Sequence, residues 1–148
     1  MSGLGGQVPI GPDHDDDVQV PIRADQDIVA ARQKGRSLAA SLNFSAGDAT
    51  LIATAISELA RNIVSYAKQG EIRLKVINAP SRSQYGIEVI AHDEGPGIAD
   101  LQRALRDGFS TSGGLGLGLP GVRRLMDEFH IASSPNQGTT VTIRKWKR

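Results

Sequence analysis

The chain has no cysteine among its 148 residues. That excludes disulfide bridges, thiolate metal sites and a cysteine nucleophile, and it suits a reducing compartment. Aromatic residues make up only 4%, so the 39% of hydrophobic residues implies a core of Leu, Ile, Val and Ala. No apolar stretch approaches the roughly 20 residues that a bilayer-spanning helix needs. No basic segment followed by an apolar run reads as a leader. We therefore expect a soluble, cytoplasmic protein with no membrane partner. Net charge is nearly absent too: the value of +1 is too small a balance to argue for nucleic acid.

What charge asymmetry exists lies at the ends. Asp13, Asp15, Asp16 and Asp17 sit in a stretch with no lysine or arginine, behind three glycines in the first six residues. Residues 1–17 read as a disordered tail. Residues 18–148 read as one domain, long enough to bury a core. The C-terminal "RKWKR" reads as a solvated strand end.

Along that domain the patterning alternates between two periods. "VQVPI" (18–22) reads as a short strand, with Pro21 marking a sheet edge. Asp25 is placed to cap a helix through "DIVAARQKGRSLAASL". Ser45 with Asp48 three residues on has a capping-box pattern before a second helix. Ile52, Ile56, Leu59 and Ile63 recur on that helix at helical spacing. "EIRLKVINA" and "YGIEVIAHD" alternate as paired strands. A helix from about Ile98 to Arg106, a glycine-rich stretch, a helix through about Phe129 and a last strand, "TTVTIRKW", complete the order. Adjacent strands followed by paired helices predict an α+β two-layer sandwich, a mixed and mostly antiparallel sheet with helices on one face.

Three polar sites interrupt this apolar scaffold. In "SELARN" (57–62), Glu58 and Asn62 lie one turn apart and share a helix face, flanking the apolar stripe. A carboxylate and an amide oxygen so placed can orient a hydroxyl and ligate Mg²⁺, a hard cation that takes oxygen ligands; the plain alternative is a solvated flank. In "HDEGPGI" (92–98) an apolar strand ends on Asp93, and Gly95 and Gly97 keep side chains out of the turn. A carboxylate held there can accept a hydrogen bond from an amine such as that of adenine; the alternative is an ordinary turn. "STSGGLGLGLPG" (110–121) brings bare backbone to a helix start, where free amides and the positive helix end suit phosphate; the alternative is a flexible loop. Its "GLGLPG" fits the dinucleotide fingerprint only formally. No strand precedes it, and no acid follows about 20 residues on.

The ordered set E-x-x-x-N, D-x-G-P-G, G-x-G-x-G and a final-strand G-T resembles the ATP-binding domain of the GHKL superfamily, the Bergerat fold. Gyrase, the ninety-kilodalton heat-shock chaperone, MutL and histidine kinases share it. The run "DGFSTSGGLGLGLPGVRRLMDEF" (107–129), with "TAISELARN" upstream, is similar to the RsbT-type serine/threonine switch kinases of the anti-sigma-factor kinase group. The resemblance covers residues 18 to 146. It implies ATP and Mg²⁺ as cofactors, Glu58 as catalytic base and Asn62 as the Mg²⁺ ligand bridging the phosphates. It implies Asp93 as the partner of the adenine amino group, with Thr139 supporting through water. Gly95 and Gly97 would line the adenine pocket, and Gly114, Gly116 and Gly118 would place backbone around the phosphates. The implied ATP lid is short, residues 98 to 113. Two positions depart from related patterns: Ser65 stands where histidine kinases carry a basic residue, and 109–118 holds no basic residue.

The function so implied is Mg-ATP-dependent phosphorylation of Ser or Thr in STAS-domain antagonist proteins, within a bacterial partner-switching stress pathway. The released kinase would bind and activate an output phosphatase or another effector. The alternative is an anti-sigma factor that sequesters a sigma subunit when nucleotide is bound. A histidine kinase is disfavoured: His14 lies in the tail, and His92 and His130 lie at strand positions rather than on a dimerisation helix.

Overall fold

The computed structural model describes residues 17–79, 83–98, 105 and 118–148. Strand β1 (Val18–Ile22) leads into α1 (Asp25–Ser41) and α2 (Ala46–Asn62), and a π-helical turn (Ile63–Ala67) extends α2. Strands β2 (Gly70–Asn78) and β3 (Tyr85–Asp93) follow, then α3 (Gly118–Leu125), β4 (Glu128–Ser133) and β5 (Thr139–Trp146). The helix expected from about Ile98 to Arg106 falls outside the described residues apart from Ile98 and Leu105. Gly114, Gly116 and residues 1–16 of the expected tail fall outside them as well.

The five strands lie in the order β1-β2-β3-β5-β4, and each of these pairings is antiparallel. Pro21 stands on the edge strand, as a residue without an N–H must. One row of the sheet alternates inward: Val20 and Ile22, Ile72 and Leu74, Ile87 and Val89, Val141 and Ile143. These pack with Ile52, Ile56 and Leu59 of α2, with Ile63 of the π-helical turn and with Leu119 and Val122 of α3 in one buried cluster. The stripe read from the sequence is thus the seam between helix layer and sheet. Helix α1 approaches α2 closely because Gly35 lacks a side chain; a Cβ there would stand 2.2 Å from the Ile56 Cδ1.

Local chemistry sets the helix starts. The Ser45 hydroxyl accepts from the Asp48 amide at 3.0 Å, capping α2 as its spacing implies. At α1 the expected cap shifts by one residue: Ala24 is the N-cap, and Asp27 rather than Asp25 accepts from the Arg23 and Ala24 amides at 2.8 and 3.1 Å. The helix expected to reach Phe129 stops at Leu125, and Glu128–Ser133 is a strand. Sheet pairing overrides helix propensity there. The Asp127 amide donates to the Arg144 carbonyl at 3.0 Å, and its carboxylate accepts from the Trp146 amide at 2.8 Å.

Candidate functional site

Helix α2 carries two of the expected site residues at its C-terminal end. Glu58 is not on a solvated flank; it is only 5% exposed. The Arg61 Nη1 donates to its Oε1, and the Gly118 amide donates to its Oε2 at 3.2 Å. Gly118 opens α3 with φ +68°, a conformation that favours glycine. A buried carboxylate therefore meets the positive end of a helix 60 residues away in sequence, an electrostatically favourable placement. Arg61, with its side chain 38% exposed, supplies the counter-charge from solvent's edge. Asn62 closes α2 one turn after Glu58, immediately before the π-helical turn. Such turns are frequent at functional sites.

The second group forms a row across the sheet. Gly70 of β2 pairs with Asp93 of β3, Asp93 with Thr139 of β5, and Thr139 with Ser133 of β4. Asp93 accepts from the Gly95 amide through Oδ1 at 2.9 Å, which commits that oxygen to the turn. Bare backbone packs closely on Asp93: a Cβ on Gly70 would stand 3.0 Å from the Asp93 Cβ, one on Gly138 would stand 2.2 Å from the Asp93 carbonyl oxygen, and one on Gly95 would stand 3.2 Å from the Asp93 Oδ1. A Cβ on Gly95 would collide with Ala67 of the π-helical turn at 2.6 Å. The turn after Asp93 is thereby packed against the segment that follows Asn62, which joins the second polar group to the first.

Gly97 has φ +78°, and a Cβ there would stand 2.0 Å from the Ser134 carbonyl oxygen. Both conditions act on one residue. Gly97→Ala is expected to cost about 1–3 kcal/mol, the scale of a strained backbone position. Urea unfolding should show a lower midpoint with an unchanged slope; an unaltered midpoint would mean that the turn relaxes freely.

Of the residues proposed to surround the phosphates, Gly118 lies at the start of α3, beside Glu58. Gly114 and Gly116 lie outside the described residues. No cluster of three or more His, Cys, Asp or Glu able to hold a metal occurs among the described residues. A single amide oxygen from Asn62 suits Mg²⁺, which keeps waters and substrate phosphates as most of its ligands. On the face of the sheet away from α1 and α2 a groove of about 480 Å³ is lined by Glu88, Ile90, Glu128, His130, Thr142 and Arg144, among others. Its carboxylates are already matched to Arg144, whose Nε donates to Glu88 at 2.8 Å and Nη1 to Glu128 at 3.2 Å. Those carboxylates, Glu88 foremost, raise the Arg144 pKa further above its ordinary value.

Sequence reading missed Arg61, Ser133 and Gly70, and it met Gly138 only as the glycine of the final-strand G-T. Only the last two strands carried a usable signal, because the turn-rich "SPNQG" between "EFHIAS" and "TTVTI" marks a hairpin.

Residues 47–148 match the family model described as histidine kinase-, DNA gyrase B- and HSP90-like ATPase, and the chain belongs to this family. It is 52% identical over 129 residues to the serine/threonine-protein kinase RsbT of Bacillus subtilis, covering 87% of this chain and 96% of that protein. Anti-sigma F factors are more distant. That of Thermoanaerobacter sp. is 32% identical over 120 residues, covering 78% of this chain and 82% of its own; that of Bacillus subtilis is 30% identical over 118 residues, covering 78% and 81%. Among solved structures, a histidine kinase domain from the Erythrobacter litoralis EL346 blue-light activated histidine kinase aligns with TM-score 0.50 and 18% identity. It covers 82% of this chain, which spans 59% of that chain's length, and it supports the fold alone. Among the described residues no helix is long and apolar enough to cross a membrane.

Proposed function

We propose that the protein is a Mg-ATP-dependent serine/threonine kinase of a partner-switching pathway, acting on STAS-domain proteins. The observation that carries this reading is the meeting of the Glu58 carboxylate with the Gly118 amide at the N-terminus of α3. It sets a candidate base beside the candidate phosphate-binding backbone. The 52% identity to RsbT supports the acceptor class.

In this mechanism Asp93 Oδ2 accepts from the adenine amino group, and Thr139 lies opposite it on β5. The acceptor hydroxyl of a partner protein approaches the γ-phosphorus as Glu58 takes its proton. The new O–P bond forms, the β–γ bridging bond breaks, and ADP leaves with the electron pair of that bond. A carboxylate has about four lone-pair sites, so Glu58 can accept this proton while still holding Arg61. Mg²⁺ bound through Asn62 would neutralise phosphate charge. Backbone amides at the α3 N-terminus would add donors where charge develops.

The anti-sigma F relatives favour a second reading, nucleotide-dependent sequestration of a sigma subunit. Labelled Mg-ATP, the protein and a STAS-domain partner from the same genome separate the two. Acid-stable label on the partner is expected, since phosphoserine and phosphothreonine are esters. Little label should appear on the kinase alone. Acid-labile label would reject the Ser/Thr assignment. Tight binding to a sigma subunit with no label on any STAS-domain protein would select the second reading. After transfer, the released kinase would engage an output phosphatase or another effector.

A further inference from the structure

Ser133 ends β4, and its hydroxyl has three partners. The Ile98 amide lies at 2.7 Å, the Gly138 carbonyl at 3.0 Å and the Thr139 hydroxyl at 2.8 Å. A hydroxyl has one hydrogen and two lone pairs. The carbonyl can only accept, so the Ser133 hydrogen goes to Gly138. The Ile98 N–H can only donate, so it takes one lone pair. The other lone pair then receives the Thr139 hydrogen. All three bonds are satisfied together only with this assignment, and it leaves Thr139 with lone pairs alone to offer a ligand.

A hairpin needs the bond to Gly138 but not the bond to Ile98, which lies 35 residues away. The Asn136 amide donates to the Pro96 carbonyl at 2.6 Å, making a second bond between the same two loops. Gly97 is caught between them, under the Ser134 carbonyl. One side chain thus reaches the turn after Asp93, the β4–β5 loop and the Thr139 hydroxyl.

We infer that Ser133 is a positioning residue of the nucleotide site: it fixes the Thr139 hydroxyl as an acceptor and pins the Gly97–Ile98 turn. The inference rests on the nucleotide site proposed above. It acts on binding rather than on the proton transfer at Glu58, so the two steps separate in kinetics.

Two measurements test it. In calorimetry, Ser133→Ala should weaken Mg-ATP binding about threefold to tenfold, the scale of one or two net hydrogen bonds. Transfer at saturating ATP should stay within about twofold of the parent, which a general loss of structure would not permit. Thr139→Val should weaken binding similarly, and the double variant should fall short of the product of the two effects because both remove one network. Unchanged affinity in Ser133→Ala, or effects that multiply, would overturn the inference. The second measurement needs no nucleotide. Exchange of the Ile98 amide should quicken about tenfold or more in Ser133→Ala, while Val141 and Ile143 keep their protection. Equal protection of Ile98 in both proteins would refute the pinning. Failure of the parent itself to bind ATP would overturn the nucleotide-site reading instead, and the exchange result would still decide whether Ser133 holds the turn.

Discussion

Glu58→Gln is expected to bind Mg-ATP nearly as well as the parent and to lose phosphoryl transfer by about 10²–10⁴-fold, the usual contribution of a positioned general base. The substitution is nearly isosteric. The remaining carbonyl oxygen can still accept from the Gly118 amide, which donates to the carboxylate at 3.2 Å. What disappears is the capacity to take a proton, together with the ion pair to Arg61. Arg61 is exposed enough, at 38% of its side chain, to be resolvated. The fold should therefore persist, with circular dichroism and melting close to the parent. Asn62→Ala provides the contrast, since it should lose the Mg²⁺ dependence of binding and the activity together. Single-turnover transfer beside nucleotide titration separates the two roles. Full turnover in Glu58→Gln would remove it as the base.

Asp93→Asn is expected to weaken ATP binding by about tenfold to a hundredfold. A hydrogen bond to a charged group contributes about 1.5–3 kcal/mol, and about 1.4 kcal/mol is a factor of ten. The local geometry makes this substitution informative. Asp93 Oδ1 is committed to the Gly95 amide at 2.9 Å, so an asparagine keeps its oxygen there to preserve the turn. Its NH₂ group then points where the carboxylate offered Oδ2, and it meets the adenine amine donor to donor. A guanine base presents a carbonyl at that position, so the variant should lose part of the parent's preference for ATP over GTP. Calorimetry with both nucleotides checks the affinity and the direction of the specificity change. Equal ATP affinity in parent and variant would assign adenine recognition elsewhere.

Much of the domain was legible because its signals are short-range. The stripe on α2 is a repeat within four turns, and Ser45 caps that helix through a residue three positions on. Strands β2, β3 and β5 carry an alternating apolar row (Ile72 and Leu74, Ile87 and Val89, Val141 and Ile143), and Pro21 marked the edge correctly. β4 was hidden because "VRRLMDEF" continues in good helix formers. Only the pairing of Asp127 with the backbone of Arg144 and Trp146 ends the helix and turns the next residues into a strand.

The amino-acid sequence by itself determined the order of every described element except β4, the residue types available for a site and their family. Tertiary structure alone decided that Glu58 is buried rather than solvated, because its partner amide at Gly118 is distant in the chain and reaches it only when α3 packs on α2. It likewise decided that Gly70, Asp93, Thr139 and Ser133 form one row, since strand register is a property of the assembled sheet. The reason is the range of the forces involved. Periodicity and capping act within a turn or two of chain, whereas burial and cross-strand hydrogen bonds exist only once distant segments have closed around a common core.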